Sequence, residues 1–162
     1  MSIPAEMHDP SLAAKPGEFY ARYDALPTNW RDHNSYWYYG WAVTEKDLKR
    51  FHEVMNVQNY HGPYTGHVLY GWTARQLCVR SGYRHISFVF GEPDEDTKKK
   101  QYIIDDKPTV MALALSCTRS RRLFWERPSE KQMERLVNII GEQPRWILDH
   151  FTKEEFSMDW IS

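Results

Sequence analysis

Cysteine, long apolar runs and a surplus of either charge are all scarce in this 162-residue chain. Its two cysteines, Cys78 and Cys117, are too few for a disulfide-built scaffold, and neither belongs to a Cys-x-x-Cys pair. No stretch approaches the roughly 18 consecutive apolar residues that a membrane-spanning helix requires. There is no Asn-x-Ser/Thr acceptor, and residues 1–16 lack a charged segment followed by an apolar run. These absences point to a reducing, intracellular, cytoplasmic setting with no membrane partner. Lys and Arg number 21 against 22 Asp and Glu, a net charge of -1 that supplies no global field to attract nucleic acid or an anionic bilayer. The signatures G-x-x-x-x-G-K-S/T, G-x-G-x-x-G and G-x-S-x-G are missing too, which removes the common nucleotide-binding and serine-hydrolase readings.

What is abundant is aromatic surface. Aromatic residues make up 15% of the chain, as 7 Trp, 10 Tyr and 7 Phe, and such side chains bury enough area to build a core in a domain of this size. Residues 18–41 alone carry Phe19, Tyr20, Tyr23, Trp30, Tyr36, Trp37, Tyr38, Tyr39 and Trp41. The preceding residues 1–17, with Pro4, Pro10, Pro16 and Gly17, read as a flexible arm, and residues 18–162 as a single globular domain.

Periodicity and punctuation predict the elements. Thr44 caps a helix with Asp47 at its third position and Leu48, Phe51 and Met55 on one face. A Gly/Pro loop over 56–66 precedes a second helix from Thr65 to about Arg80, stopped by Ser81-Gly82. Ile86, Phe88 and Phe90 mark a strand, 91–100 a turn and 101–104 a return strand. Residues 109–117 favour a third strand over a helix opened by Pro108. Ser129 to Gln132 form a capping box before Met133, Leu136, Val137 and Ile140, with Gly141 as the stop. Pro144 then opens a short terminal helix carrying Trp146, Ile147 and Phe151. With no βαβ alternation, this order implies an α+β fold: a small, mostly antiparallel sheet of about three strands packed with about four helices, wrapped by the aromatic segment.

Two apparent motifs fail on spacing. His52-Glu53 begins like His-Glu-x-x-His but has Asn56 where the second zinc ligand belongs. Cys117 to Arg122 resembles a cysteine-phosphatase loop with one residue too few between Cys and Arg. Cys78 reads as a small core residue of the second helix.

Three constellations remain. His61 and His67 bracket a Gly/Pro loop and, with Asp32, His33 or Glu53, suit acid-base chemistry or a divalent metal such as zinc; otherwise they are hydrogen-bonded loop residues. The run from Tyr36 to Trp41, beside Asn29, Arg31, Asp32 and Asn34, is either a stacking wall or a strand entering the sheet edge. Charge is segregated: residues 92–106 sum to -3 and residues 119–135 to +3. The Arg-rich stretch bears Arg119, Arg121 and Arg122 as anion contacts, with Phe124 and Trp125 placed to stack a base; its ordinary reading is a solvated loop paired to the acidic hairpin.

The leading functional expectation is a non-catalytic module without cofactor that binds a small organic or anionic ligand, or an acidic protein partner, through Trp37, Tyr39, Arg119, Arg121 and Arg122. The alternatives are a small hydrolase or isomerase built on His61 and His67, and a structural, homodimerising protein. Nucleic acid is disfavoured, and the sequence leaves the oligomeric state open.

Overall fold

The structure is a computed structural model, and it describes residues 20–57 and 66–155. The elements run β1 (Trp37–Val43), α1 (Glu45–Val54), α2 (Gly66–Ser81), β2 (Ser87–Gly91), β3 (Tyr102–Ile104), β4 (Lys107–Cys117), α3 (Arg121–Trp125), α4 (Glu130–Ile140) and β5 (Arg145–Leu148). The expected α+β class holds. The antiparallel sheet, however, has five strands in place of about three, ordered β2-β4-β1-β5 with β3 on the first residues of β4. Helical backbone at 153–155 adds to the four helices.

The helix ends follow their local chemistry. Thr44 Oγ1 accepts from Asp47 N at 3.2 Å while Asp47 Oδ2 accepts from Thr44 N at 2.9 Å. Ser129 and Gln132 form the same reciprocal box on α4, and Gly141 ends that helix at φ 89°. The β3–β4 hairpin turns through Asp105 and Asp106, at φ 49° and 64°, the paired left-handed geometry of a tight two-residue turn.

Both faces of the sheet are filled, by different means. Tyr39, Trp41 and Val43 of β1 and Leu113 and Leu115 of β4 face the helices, where Leu48, Phe51, Leu77, Phe124, Leu136 and Ile140 complete the main core. On the other face the sheet curls onto itself around the small cluster Ala42, Val110, Ala112 and Ile147. Its two edges meet at a Gly91·Asp149 bridge, flanked by Glu92 N donating to Leu148 O at 2.7 Å and His150 N to Phe90 O at 3.0 Å. A Cβ on Gly91 would stand 2.5 Å from Ile147 Cγ2, so a larger residue there would have to displace the Ile147 side chain from the seam.

The β1–β4 ladder slips once. Tyr39 faces Ser116 but Gly40 faces Ala114, leaving Leu115 opposite no β1 residue. A Cβ on Gly40 would lie 1.8 Å from Leu113 O. Beyond the bulge the side-chain alternation is inverted. Ser116 turns to the helix side to bond Tyr23 OH at 2.7 Å, and Cys117 pairs with Tyr38 on the inner face.

Two sequence expectations are corrected together. Residues after Pro144 form β5, not a helix: Trp146 enters the main core and Ile147 the inner cluster, so burial on both faces masks the strand alternation. Because β5 pairs along β1, the aromatic strand lies inside the sheet and not at its edge. The segment before it does pack onto the helix side. Tyr23 stacks on Tyr39 at 3.8 Å between centroids. Arg127, 6% exposed, lies 3.8 Å above the Tyr23 ring and donates to Phe124 O and Ala21 O.

Inside the seam, Asp149 is 2% exposed; its Oδ2 accepts from Tyr38 OH at 3.1 Å and its Oδ1 from Phe151 N at 3.1 Å. Burial outweighs these bonds and holds its carboxyl above the usual range.

Gly40→Ala forces the central strands apart and is expected to cost about 3 kcal/mol or more, read by urea denaturation. A carboxyl raised on folding binds its proton more tightly in the native state, so its contribution declines as pH climbs from about 4, its unfolded pKa. The stability difference between wild type and Asp149→Asn is therefore expected to move in favour of the variant as pH rises from 4 to 7, measured by denaturation at each pH.

Candidate functional site

The inverted alternation after the bulge delivers Thr118 to the start of β1, where Trp37 holds two loops at once. Trp37 N donates to Thr118 Oγ1 at 3.0 Å and Thr118 N returns a bond to Trp37 O at 3.0 Å. The Trp37 indole Nε1 donates to Trp30 O at 3.2 Å, fixing the 3-10 turn Trp30–Asp32. A third segment arrives from β5: Asp149 N donates to Tyr36 O at 2.9 Å and Lys153 N to Asn34 O at 2.8 Å.

Between these three segments lies a cleft of about 420 Å³. Arg31, Arg119, Arg121 and Lys153 line it, and among the described residues no Asp or Glu does. Two of the cations ride on rings that also line the cleft: the Arg31 guanidinium carbon is 4.5 Å from the Trp30 centroid and Lys153 Nζ is 5.4 Å from that of Tyr36. Two hydroxyls complete the wall. Thr118 Oγ1 accepts from Trp37 N, and Ser120 Oγ accepts from Leu123 N at 3.2 Å as the cap of α3. Each hydroxyl uses an oxygen lone pair in that bond and keeps a proton to donate. Guanidinium, ammonium and hydroxyl donors are the groups that suit anionic oxygen.

No family model, curated protein or solved structure matches this chain.

The sequence-derived candidates divide around this cleft. Arg119 and Arg121 line it, whereas Arg122, exposed on α3, does not. Trp37 stands behind it as the clamp. Tyr39 is 2% exposed, between Tyr23 and Trp146, and belongs to the core. Phe124 and Trp125 are likewise buried: Phe124 stacks parallel to Trp146 at 6.0 Å, which removes both as base-stacking groups. The acidic turn takes its cation from elsewhere, since Asp96 Oδ2 pairs with Arg145 at 2.7 Å at the far end of β5. Lys153 is the contributor with no sequence signal, because β5's pairing alone brings it to the site.

His61 and the side chain of His67 lie outside the described residues. Of their suggested partners, His33 packs edge-on against Trp37 at 5.2 Å, Asp32 is exposed at the end of its 3-10 turn, and Glu53 is exposed on α1. His52 bonds Thr73 Oγ1 at 2.7 Å, which explains the failed metal motif as a tie between α1 and α2. Among the described residues no three His, Cys, Asp or Glu side chains gather to hold a metal, and no helix is long and apolar enough to cross a membrane.

A second cleft, of about 270 Å³, holds Cys117 near the His85–Glu126 pair, whose N···O distance is 2.9 Å. Burial pushes the Cys117 thiol up, opposite to what a thiolate nucleophile needs. Cys78 is also raised by burial, packs against the main core and donates to Arg84 O at 3.6 Å.

Trp37→Phe keeps the ring and deletes the indole donor. The expected result is a stability loss of about 0.5–1.5 kcal/mol with amide exchange accelerated chiefly at Trp30–Asp32; uniform acceleration across the domain would remove the clamp role.

Proposed function

We propose that this protein is a binding module for a small anionic ligand held in the cleft between the Trp30–Asp32 turn, the loop after β4 and the segment after β5. One observation carries the reading: Arg31, Arg119, Arg121 and Lys153, from three separate segments, line one cleft that no carboxylate of the described residues lines. Guanidinium and ammonium groups are strong hydrogen-bond donors to anionic oxygen. The rings support the cations, and the two hydroxyls add donors that orient oxygen atoms. The near-neutral chain gives the site no long-range pull, so recognition is short-ranged and confined to the cleft. That favours a compact ligand over an extended polyanion such as nucleic acid.

Titration with phosphate, sulfate and citrate at low ionic strength, followed by amide NMR shifts, tests the reading. Shifts are expected at Arg31, Thr118–Arg121 and Lys153, and they weaken with added salt. Arg119→Ala with Arg121→Ala is expected to raise Kd at least about tenfold, since hydrogen bonds to charged groups contribute about 1.5–3 kcal/mol each. Arg122→Ala is the control and leaves Kd unchanged. Shifts confined to other surfaces, or none, would remove the cleft as the site.

A further inference from the structure

We infer that the cleft holding Cys117 is a second, hydrolytic site, in which His85 is the general base for small uncharged esters. This cleft shares no lining residue with the cationic one, so the two sites stand or fall separately. Its wall combines the apolar Ile86, Ala114, Leu115 and Leu123 with a few polar groups. Most of those are already engaged. Tyr38 OH donates to Asp149 Oδ2, Ser116 Oγ bonds Tyr23 OH and Glu126 O, and burial keeps the Cys117 thiol protonated. His85, Glu126 and Ser87 remain for chemistry.

The first two form an oriented pair. His85 Nε2 meets Glu126 Oε1 at 2.9 Å. A carboxylate only accepts, so in the neutral ring Nε2 carries the proton and Nδ1 the lone pair. Nδ1 has no hydrogen-bond partner among the described residues. Both members are held from behind. Glu126 N donates to Arg122 O at 2.9 Å, and its carbonyl oxygen accepts from Ser116 Oγ at 2.9 Å and from Tyr83 OH. The Tyr83 ring in turn meets His85 edge-on, with 5.7 Å between centroids. No Lys or Arg of the described residues lines the cleft, which leaves the carboxylate to the imidazole. An imidazole fixed by a carboxylate, with its second nitrogen open, is the arrangement of a general base.

Ser87 supplies a donor. Ile86 is buried in the main core, whereas His85 and Ser87, on either side of it in sequence, are exposed and line the cleft together. Their side chains make no hydrogen bond to each other, so the nucleophile assigned is a water and not the Ser87 oxygen. His85 Nδ1 takes a proton from that water as its oxygen bonds to the acyl carbon, and Ser87 Oγ donates to the carbonyl oxygen that gathers negative charge. The bond from the acyl carbon to the alcohol oxygen then breaks, and His85 passes its proton to the departing oxygen. One acid and one alcohol leave, with nothing oxidised or reduced. The Glu126 carboxylate disfavours anionic substrates, and a volume of about 270 Å³ limits the acyl group to a few carbons.

Steady-state hydrolysis of p-nitrophenyl acetate, butyrate and octanoate by the full chain tests this, with free imidazole at equal concentration as the reference. Saturable turnover at least about 100-fold above imidazole is expected, falling from butyrate to octanoate. His85→Ala is expected to lower kcat at least about 100-fold and Ser87→Ala at least about tenfold, with urea midpoints near wild type because both side chains are exposed. Glu126 is a positioning residue: Glu126→Gln is expected to lower kcat with KM unchanged, and Glu126→Asp to recover part of the loss. Turnover no faster than imidazole would overturn the hydrolytic site. Turnover that survives His85→Ala would overturn His85 as its base, and octanoate hydrolysed as fast as acetate would overturn the restriction to small esters.

Discussion

The approach of β1 to β4 at Gly40 is the constraint from which the rest of the architecture follows. At that point the backbones lie so close that a single added carbon would sit 1.8 Å from the Leu113 carbonyl oxygen. The ladder absorbs the crowding by giving Leu115 no opposite residue, and every side chain after it changes face. Without that inversion Ser116 would point away from Tyr23, Cys117 would face the helices, and Thr118 would not meet Trp37. The cationic loop after β4 is thus positioned by a backbone event several residues upstream.

The same residue type serves opposite physical ends in this chain. Arg127 is buried, with its guanidinium over Tyr23, Phe124 and Trp125 at 3.8, 4.5 and 4.1 Å and its nitrogens donating to main-chain carbonyls. It acts as a planar core group that joins the N-terminal aromatic segment to α3. Arg145, at the beginning of β5, pairs with Asp94 and Asp96 and secures the acidic turn. Lys100 secures the neighbouring surface through Asp47 and Glu142. These cations stand at one end of the sheet, and Arg31, Arg119, Arg121 and Lys153 line the cleft at the other. A net charge near zero therefore conceals a polarised molecule.

The helices were legible because their information is local. Thr44 with Asp47, Ser129 with Gln132 and the left-handed Gly141 each act within a turn of the helix they bound. β4 was legible through alternation of size: Ala112 and Ala114 lie on the curled inner face, and Leu113 and Leu115 meet the helices. β5 was not legible, since Arg-Trp-Ile-Leu is buried alternately on two faces and reads as one apolar run after a proline. The Tyr102–Ile104 strand was visible, but its pairing was not: it read as the return strand across 91–100, and it pairs instead with β4 across a two-aspartate turn without glycine. At the cleft, clustering exposed Arg119 and Arg121, and Arg31 was noticed only as a polar neighbour of the aromatic run. Tyr39 was misassigned because an aromatic strand with both faces covered looks the same in sequence as one with a free face. Lys153 owes its place to tertiary pairing, about which its neighbours in sequence say nothing.

The seating of β5 beside β1 fixes the order of events during synthesis. Among the described residues β1 is the first strand to leave the ribosome, yet both of its neighbours, β4 and β5, are encoded far downstream. Through most of elongation its Trp- and Tyr-rich edges have no native partner, and an unpaired apolar edge is where nascent chains associate wrongly. The capped helices α1 and α4 form on local signals, but neither supplies an edge to β1. The sheet is therefore completed after translation of its last strand, through contacts distant in sequence that fold slowly. A chain cut before Pro144 loses the β5 partner of β1 along with the seam at Gly91, and it keeps the signals of α1 to α4 while remaining unable to close.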